Sequence, residues 1–154
     1  MKWNGLKIKN YLEIESHTSS DKSSGRIGDI EILDEKNRSF EAVEVKYGIP
    51  ITLQFVQDAY AKFQTTPVSR YYILSTVPTD KGESIKIEAE IQRIKNVHGC
   101  QVIVKGINPT LKYYLRLLDD TFEFIENYVN LLEDDKALKF EHKAQWNYLI
   151  SEMG

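Results

Sequence analysis

Apolar and polar residues alternate in two short stretches of the first third of the chain, as they do in half-buried β-strands. The stretches are residues 27–33 and 39–47, and the polar run of residues 34–38 separates them. Because a short polar turn between two alternating segments is typical of an antiparallel pair, we predict a β-hairpin here. Successive strand residues point to opposite faces, so Glu44 and Lys46 should share one face while Val45 points to the other.

The pattern changes to helical spacing after this hairpin, and from there helices and strands follow one another in turn. Thr52 is a suitable N-cap for a helix that runs from Leu53 to Phe63. Further along we predict a strand over residues 70–76, a helix over residues 83–95 and a strand over residues 100–105. Strands joined through helices need crossover connections, so we predict an α/β protein with a partly parallel sheet.

The last third of the chain is predicted to be helical. Apolar residues recur at helical spacing from Thr110 to Leu132, and Asn108-Pro109 precedes them as a start signal. We predict one long amphipathic helix there and a second helix over residues 136–151. Packing within the protein is the simpler role for their apolar faces, and a partner-binding or dimer face is the alternative.

The composition is that of an ordinary globular protein. With 42% hydrophobic and 28% charged residues, the 154-residue chain can bury a substantial core, so we expect a single domain. Cys100 is the one cysteine, which excludes an internal disulfide framework and suits a reducing compartment. The sequence has neither a stretch of membrane-spanning length nor the apolar core of a signal peptide, so we expect a cytoplasmic protein with no membrane partner.

The net charge is −3 at pH 7, which gives no overall electrostatic signature of a nucleic-acid binder. Because the acidic excess lies in the second half of the chain, a polyanion would approach the first half. Positive charge is available there from Lys22, Arg26, Lys46 and Lys62. The segment of residues 17–26 is rich in loop-forming residues, and it is either a solvated connection or a loop that brings Lys22 or Arg26 to a phosphate.

The register of the hairpin decides whether two acidic residues meet. If Lys36 and Asn37 form the centre of the turn, Asp29 lies directly opposite Glu44. Like charges in that position repel, and Lys46 or a divalent cation such as Mg²⁺ would offset the repulsion. A bulge would instead turn Asp29 to the other face. An exposed ion cluster with little energetic effect is the simpler explanation of Asp29, Glu44 and Lys46.

The pattern Gly28-Asp29-Ile30 followed by Glu44-Val45-Lys46, on a hairpin that leads into a helix and a strand, resembles the PD-(D/E)xK nuclease superfamily. The resemblance covers roughly residues 23–77 and is greater to type II restriction endonucleases than to repair or recombination nucleases. Gly28 stands where many members have proline. The resemblance implies a restriction-endonuclease-like mixed β-sheet core flanked by helices, here followed by two C-terminal helices.

The resemblance also implies roles for individual residues. Asp29 and Glu44 match the family's metal-binding carboxylates, and Val45 would add its backbone carbonyl. Lys46 matches the lysine that orients or helps to deprotonate the attacking water. The implied metal is Mg²⁺, for which Mn²⁺ can substitute. Many members add a glutamate and a glutamine from flanking helices, and the candidates here are Glu13 or Glu15 and Gln54 or Gln57. Candidate phosphate contacts are Lys22, Arg26 and Lys62.

We therefore expect a Mg²⁺-dependent DNA endonuclease in which residues 1–154 form a single nuclease domain. Its catalytic core would span about residues 23–106, and a helical part would span about residues 108–154. No basic helix for base reading is evident, so specificity would come from a longer enzyme, from homodimerisation or from a partner subunit. The alternative is a catalytically silent DNA- or protein-binding module on the same fold.

Overall fold

The structure, a computed structural model, describes Leu12, residues 25–135 and residues 138–152. The chain divides into two compact units, residues 1–111 and residues 112–154. The boundary lies close to the predicted start of the helical part, at about residue 108. We describe each unit separately.

The first unit is built on a four-stranded mixed β-sheet. The strands are β1 (Ile30–Leu33), β2 (Ser39–Lys46), β3 (Arg70–Ser75) and β4 (Gln101–Gly106), and they lie side by side in that order. β1 pairs with β2 in antiparallel orientation, whereas β2, β3 and β4 are parallel to one another. The predicted α/β class, hairpin and partly parallel sheet are therefore confirmed.

Two helices make the crossover connections between the parallel strands. They are α1 (Leu53–Phe63), between β2 and β3, and α2 (Lys81–His98), between β3 and β4. α2 begins where Asp80 accepts a hydrogen bond from the Gly82 N–H, and it ends at Gly99, whose φ of 87° is accessible mainly to glycine. The bounds of α1 agree with the prediction, and α2 is longer than predicted at both ends.

The hydrophobic core is a cluster of side chains from the sheet and from these two helices. Ala42 and Tyr71 lie side by side on neighbouring strands and are fully buried. The Phe63 ring from α1 stacks on the Tyr71 ring with 4.7 Å between centroids. Cys100 is also fully buried, and this burial raises the pKa of its thiol to about 12. The other buried members are Ile27, Ile51, Val56, Ala59, Val68, Ile73, Ile87, Ile94 and Val102.

The hairpin turn differs from the prediction by one residue, yet the strands pair as predicted. The Asn37 N–H bonds to the Asp34 carbonyl, so residues 35 and 36 form the centre of the turn, and Asn37 has a φ of 56°. The left-handed Asn37 at the end of the turn and a bulge between Ile32 and Leu33 together offset this difference. Beyond the bulge Ile30 pairs with Val43, which is the predicted register.

The prediction of one long helix from Thr110 to Leu132 is wrong. This stretch contains two helices, α3 (Ile107–Leu115) and α4 (Thr121–Asp134). Asp120 accepts a hydrogen bond from the Phe122 N–H at 2.7 Å and so starts a new helix. Apolar spacing continues across the break, which is why periodicity alone did not reveal it. The part of the chain after β4 therefore contains three described helices where we predicted two.

The second unit contains the end of α3, together with α4 and α5 (Phe140–Ser151). The Tyr128 and Trp146 rings contact each other edge to face at 4.9 Å, and they join α4 to α5. Trp146 thus lies on the helix predicted over residues 136–151. The first two residues of that prediction lie outside the described part of the chain. No helix among the described residues is long and apolar enough to cross a membrane.

Gly28 lies immediately before Asp29 at a point where two segments of backbone approach closely. A Cβ atom built on Gly28 would lie 2.9 Å from the Val43 carbonyl oxygen and 3.3 Å from the Ala42 Cβ. The first distance is shorter than van der Waals contact allows. Glycine is therefore required here by the space between the strands, and this close approach holds Asp29 near β2.

We expect Gly28→Ala to lower the free energy of unfolding by about 1–3 kcal/mol, because the added methyl group must push the start of β1 away from Val43. Urea denaturation followed by circular dichroism measures this change. An unchanged midpoint would show that the two segments can separate at no energetic cost.

Candidate active site

The candidate site lies where the start of β1 meets the end of β2. Glu44 and Lys46 project from the same face of β2, and the Lys46 Nζ lies 2.6 Å from the Glu44 Oε1. Val45 points to the other face and is 39% exposed. The strand alternation predicted from the sequence is therefore confirmed.

Asp29 precedes the first residue of β1, and its side chain turns toward β2. Its Oδ2 accepts a hydrogen bond from the Val45 N–H at 2.7 Å. In a strand the N–H and the C=O of one residue point to the same edge, so the Val45 carbonyl faces the edge at which Asp29 lies. The register of β1 and β2, continued by one residue from Ile30 and Val43, places Asp29 across from Glu44.

Helix α1 supplies the other wall of the site. Phe55, Asp58 and Lys62 follow one another at helical spacing, and together with Glu44 and Lys46 they line a cavity of about 190 Å³. The Lys62 Nζ lies 3.1 Å from the Glu44 Oε2 and 3.3 Å from its Oε1. The Lys46 Nζ lies 5.6 Å from the centre of the Phe55 ring, close enough for a cation–π contact.

Tyr71, on strand β3, contacts Glu44 from within the core, while Ile73 of the same strand lines the cavity. The fully buried hydroxyl of Tyr71 donates to the Ile27 carbonyl at 2.5 Å and contacts the Glu44 Oε2 at 3.3 Å. Burial and the neighbouring carboxylates of Glu44, Asp29 and Glu31 raise the pKa of this phenol, so it stays protonated and remains a donor. Tyr71 thus connects Glu44 to the segment that leads into Asp29.

Glu31 also holds the segment that leads into Asp29. It is buried, its Oε1 accepts from the Ile27 N–H at 2.8 Å and its Oε2 accepts from the Ser39 Oγ at 3.0 Å. Ile27 is therefore hydrogen-bonded at both its N–H and its carbonyl. Because Asp29 follows two residues later, its position depends on these buried contacts.

The charge state of Glu44 follows from two opposing effects. Burial favours the neutral acid, but the hydrogen bonds and charges of Lys46 and Lys62 outweigh it and lower the pKa of Glu44 below its ordinary value of 4.5. The side chain of Glu44 is only 6% exposed, so water screens these contacts weakly. Glu44 is an ionised carboxylate at neutral pH.

The structure brings together some of the predicted site residues. Lys46 contacts Glu44, Asp29 contacts the backbone N–H of Val45 between them, and Lys62, predicted as a phosphate contact, contacts Glu44 directly. Gln54 and Gln57 are exposed on α1 and do not line the cavity, and Gln54 donates to Asp58 at 2.8 Å. Arg26 is half-buried just before Ile27. Glu13, Glu15 and Lys22 lie outside the described residues.

Four residues around the site were not predicted from the sequence: Tyr71, Phe55, Asp58 and Glu31. The signals for the helix residues were present, because Phe55 and Asp58 precede Lys62 by two turns and one turn on the same side of α1. Tyr71 and Glu31 could be found only from the pairing of strands. Glu31 on β1 and Tyr71 on β3 both pair with Ala42 on β2. They therefore share the face of the sheet that carries Glu44.

The predicted metal ligands fit a hard divalent cation by their chemistry. Asp29, Glu44 and the Val45 carbonyl would supply oxygen donors, which Mg²⁺ prefers. One Asp29 oxygen accepts a hydrogen bond from the Val45 N–H. Because each carboxylate oxygen has two acceptor positions, Asp29 keeps positions with which it could bind a cation. Within the described residues no group of three or more His, Cys, Asp or Glu side chains is arranged to hold a metal ion. The predicted ligands include only two carboxylate side chains, Asp29 and Glu44, and so fall below that number.

A larger open groove, of about 870 Å³, lies elsewhere in the first unit, beside the hairpin turn and His98. Its charged residues Asp34 and Arg38 pair with each other at 2.7 Å. It contains none of the predicted site residues. The smaller cavity, with one buried carboxylate and two lysines, is the better candidate for a reaction centre.

Comparison with known proteins adds no family assignment. No family model matches the sequence, and no curated protein sequence matches it significantly.

We expect Tyr71→Phe to lower the free energy of unfolding by about 1–3 kcal/mol, because the buried Ile27 carbonyl loses its donor. Tyr47→Phe is the matched control, since Tyr47 is 85% exposed. Chemical denaturation of both variants measures the difference. Equal stability of the two variants would contradict the role assigned to the Tyr71 hydroxyl.

The lowered pKa of Glu44 predicts how stability depends on pH. Since the folded protein holds this carboxylate ionised to lower pH than the unfolded chain does, its contribution is present above about pH 4.5 and is lost as the pH falls below that value. Glu44→Gln should therefore lose less stability than the wild type on acidification. Urea midpoints from neutral to acidic pH test this, with the exposed Glu88→Gln as control. A slope for Glu44→Gln equal to that of the wild type would contradict it.

Proposed function

We propose that this protein is a divalent-cation-dependent endonuclease that hydrolyses phosphodiester bonds in DNA, on a restriction-endonuclease-like fold of the PD-(D/E)xK type. One observation carries the proposal. Asp29 and the Glu44-Val45-Lys46 triplet lie at the adjoining ends of two antiparallel strands, and the Lys46 Nζ is 2.6 Å from the Glu44 carboxylate. A buried, ionised carboxylate beside a lysine in a cavity is typical of a reaction centre.

Asp29, Glu44 and the Val45 carbonyl are the groups that would hold Mg²⁺, with Mn²⁺ as a substitute. A bound cation of this kind lowers the pKa of water and neutralises charge on phosphate oxygens. The protein's own contribution is to orient these oxygen donors. The Val45 N–H fixes Asp29, and Tyr71 fixes Glu44 relative to the segment before Asp29.

Lys46 is the proposed catalytic residue in contact with the attacking water. Its contact with Glu44 keeps the ammonium group at the rim of the cavity, where it is 23% exposed. From there it can orient a water molecule for attack on the phosphorus atom and stabilise the charge that develops on the phosphate oxygens. The Phe55 ring next to its Nζ limits the directions in which the side chain can turn.

The proposed substrate is DNA. We place the protein in the cytoplasm, where Cys100 would remain a thiol. Site selection would come from homodimerisation, from a further domain of a longer chain or from a partner subunit. Double-strand cleavage calls for two reaction centres, and the described residues carry one candidate centre, so homodimerisation would also supply the second. The exposed apolar residues of α4 and α5, which include Phe122, Leu131 and Tyr148, would suit such a contact.

A second candidate function is a DNA- or protein-binding module that performs no chemistry. It is favoured by the pairing of Glu44 with two lysines, because a carboxylate that is neutralised in this way also occurs in purely structural ion clusters. The two functions differ in whether DNA is cut, so one assay separates them.

We expect the purified protein to nick supercoiled plasmid DNA with Mg²⁺ or Mn²⁺ and to lose this activity in EDTA. Lys46→Met should lower the rate by roughly 10²–10⁴-fold, because it removes the group that orients the water. Asp29→Asn should raise the cation concentration required. Lys36→Met, in the hairpin turn, is the matched control and should cut at the wild-type rate.

Plasmid conversion on agarose gels measures the rate, and gel shifts in EDTA measure DNA binding separately. If the protein binds duplex DNA but never nicks it with either cation, the binding module is correct. Nicking that Lys46→Met leaves unchanged would come from a different site or from a contaminant.

A further inference from the structure

The candidate site holds one buried carboxylate between two lysines. Lys46 contacts one oxygen of Glu44, and Lys62 contacts both. The cavity is also lined by the exposed carboxylate of Asp58, which accepts a hydrogen bond from Gln54. One of the two lysine charges suffices to neutralise Glu44. The second therefore has a purpose to be explained, because holding a lysine side chain in place costs conformational entropy.

We propose that Lys62 is an exchangeable counter-ion of Glu44. It holds the carboxylate when no divalent cation is present, and it releases Glu44 and moves to a phosphate oxygen of the DNA backbone when cation and substrate bind. This inference rests on the proposed function. It assigns Lys62 two alternative partners and makes it a positioning residue for substrate, distinct from Lys46.

The geometry distinguishes the two lysines. The Lys46 Nζ lies 2.6 Å from one oxygen of Glu44, a short charge-assisted contact, whereas the Lys62 contacts are 3.1 and 3.3 Å. Lys62 is also the more exposed of the two, at 32% against 23%. Lys46 moreover lies beside the Phe55 ring. Lys62 is therefore the lysine that can leave Glu44 at the smaller energetic cost.

The position of Lys62 suits a transfer to phosphate. Its ammonium group lines the cavity from α1 and is 32% exposed, and a lysine stem can swing over several ångströms without moving the helix. A lysine ammonium group and a divalent cation bound at the same carboxylate would repel each other. Release of Lys62 removes this repulsion and at the same moment provides a positive charge for the incoming polyanion.

This exchange couples the binding of cation and DNA. Since the lysine that leaves Glu44 gains a phosphate partner only when DNA is present, each ligand should increase the affinity for the other. In the absence of a cation Lys62 stays with Glu44 and contributes little to DNA binding.

A structural role is the competing explanation for Lys62. It lies in the last turn of α1, where a positive charge stabilises the helix dipole. Lys95 also lies in the last turn of its helix, α2, and its side chain is exposed. Lys95→Met therefore removes the same kind of charge from the same kind of helix position, outside the cavity that contains Glu44.

The test measures binding of Mn²⁺ alone, by the electron paramagnetic resonance signal of the free ion, to the full chain without DNA. Lys62→Met should bind Mn²⁺ about tenfold more tightly than the wild type, because a competing positive charge is gone. Lys62→Arg keeps the charge and should bind like the wild type, as should Lys95→Met. Thermal melts confirm that each variant is folded. Unchanged or weaker Mn²⁺ binding by folded Lys62→Met overturns the proposal.

A second readout uses a short DNA duplex in EDTA. Lys62→Met should bind the duplex with the same affinity as Lys95→Met, which removes the same charge elsewhere, because Lys62 is engaged by Glu44 under these conditions. Weaker binding by Lys62→Met than by Lys95→Met in EDTA would show that Lys62 is a permanent phosphate contact, which overturns the exchange. Neither readout requires cleavage. If the protein binds Mn²⁺ as predicted but never nicks plasmid, the proposed endonuclease is refuted and the exchange at Glu44 is not.

Discussion

The ionised carboxylate of Glu44, only 6% exposed, is the constraint on which the candidate site depends. A charge in that position is tolerated only if opposite charges and hydrogen-bond donors surround it. They come from three elements: Lys46 from the same strand, Lys62 from α1 and Tyr71 from β3. Because the contacts of Lys62 and Tyr71 cross to other elements, the carboxylate links the hairpin, the first crossover helix and strand β3.

Tyr71 gives this arrangement its rigidity. Its ring belongs to the apolar core and stacks on Phe63, while its hydroxyl reaches both Glu44 and the Ile27 carbonyl. The packing of the core therefore sets the distance between the two segments that carry Asp29 and Glu44. A reaction centre that must hold oxygen donors to within fractions of an ångström needs support of this kind from buried residues.

Much of the fold around the site could be predicted from local patterns. Alternation placed Glu44 and Lys46 on one face, helical spacing gave the bounds of α1, and the register across the hairpin followed from the polar turn. The turn itself was predicted one residue too late, because periodicity does not show the bulge at Ile32. Apolar spacing likewise did not show where Asp120 starts a new helix. Tyr71 was missed because its role depends on strand pairing, which no local pattern contains.

The hydrogen bond between Tyr71 and Ile27 joins residues 44 positions apart in the chain. During synthesis the ribosome releases both acidic residues of the site well before it releases β3. An isolated hairpin is only marginally stable in water, so the pairing that sets Asp29 against Glu44 becomes stable only when β3 docks beside β2 and buries the phenol. The order of translation thus separates the appearance of the two carboxylates from their assembly, and an incomplete chain contains the acids without the geometry.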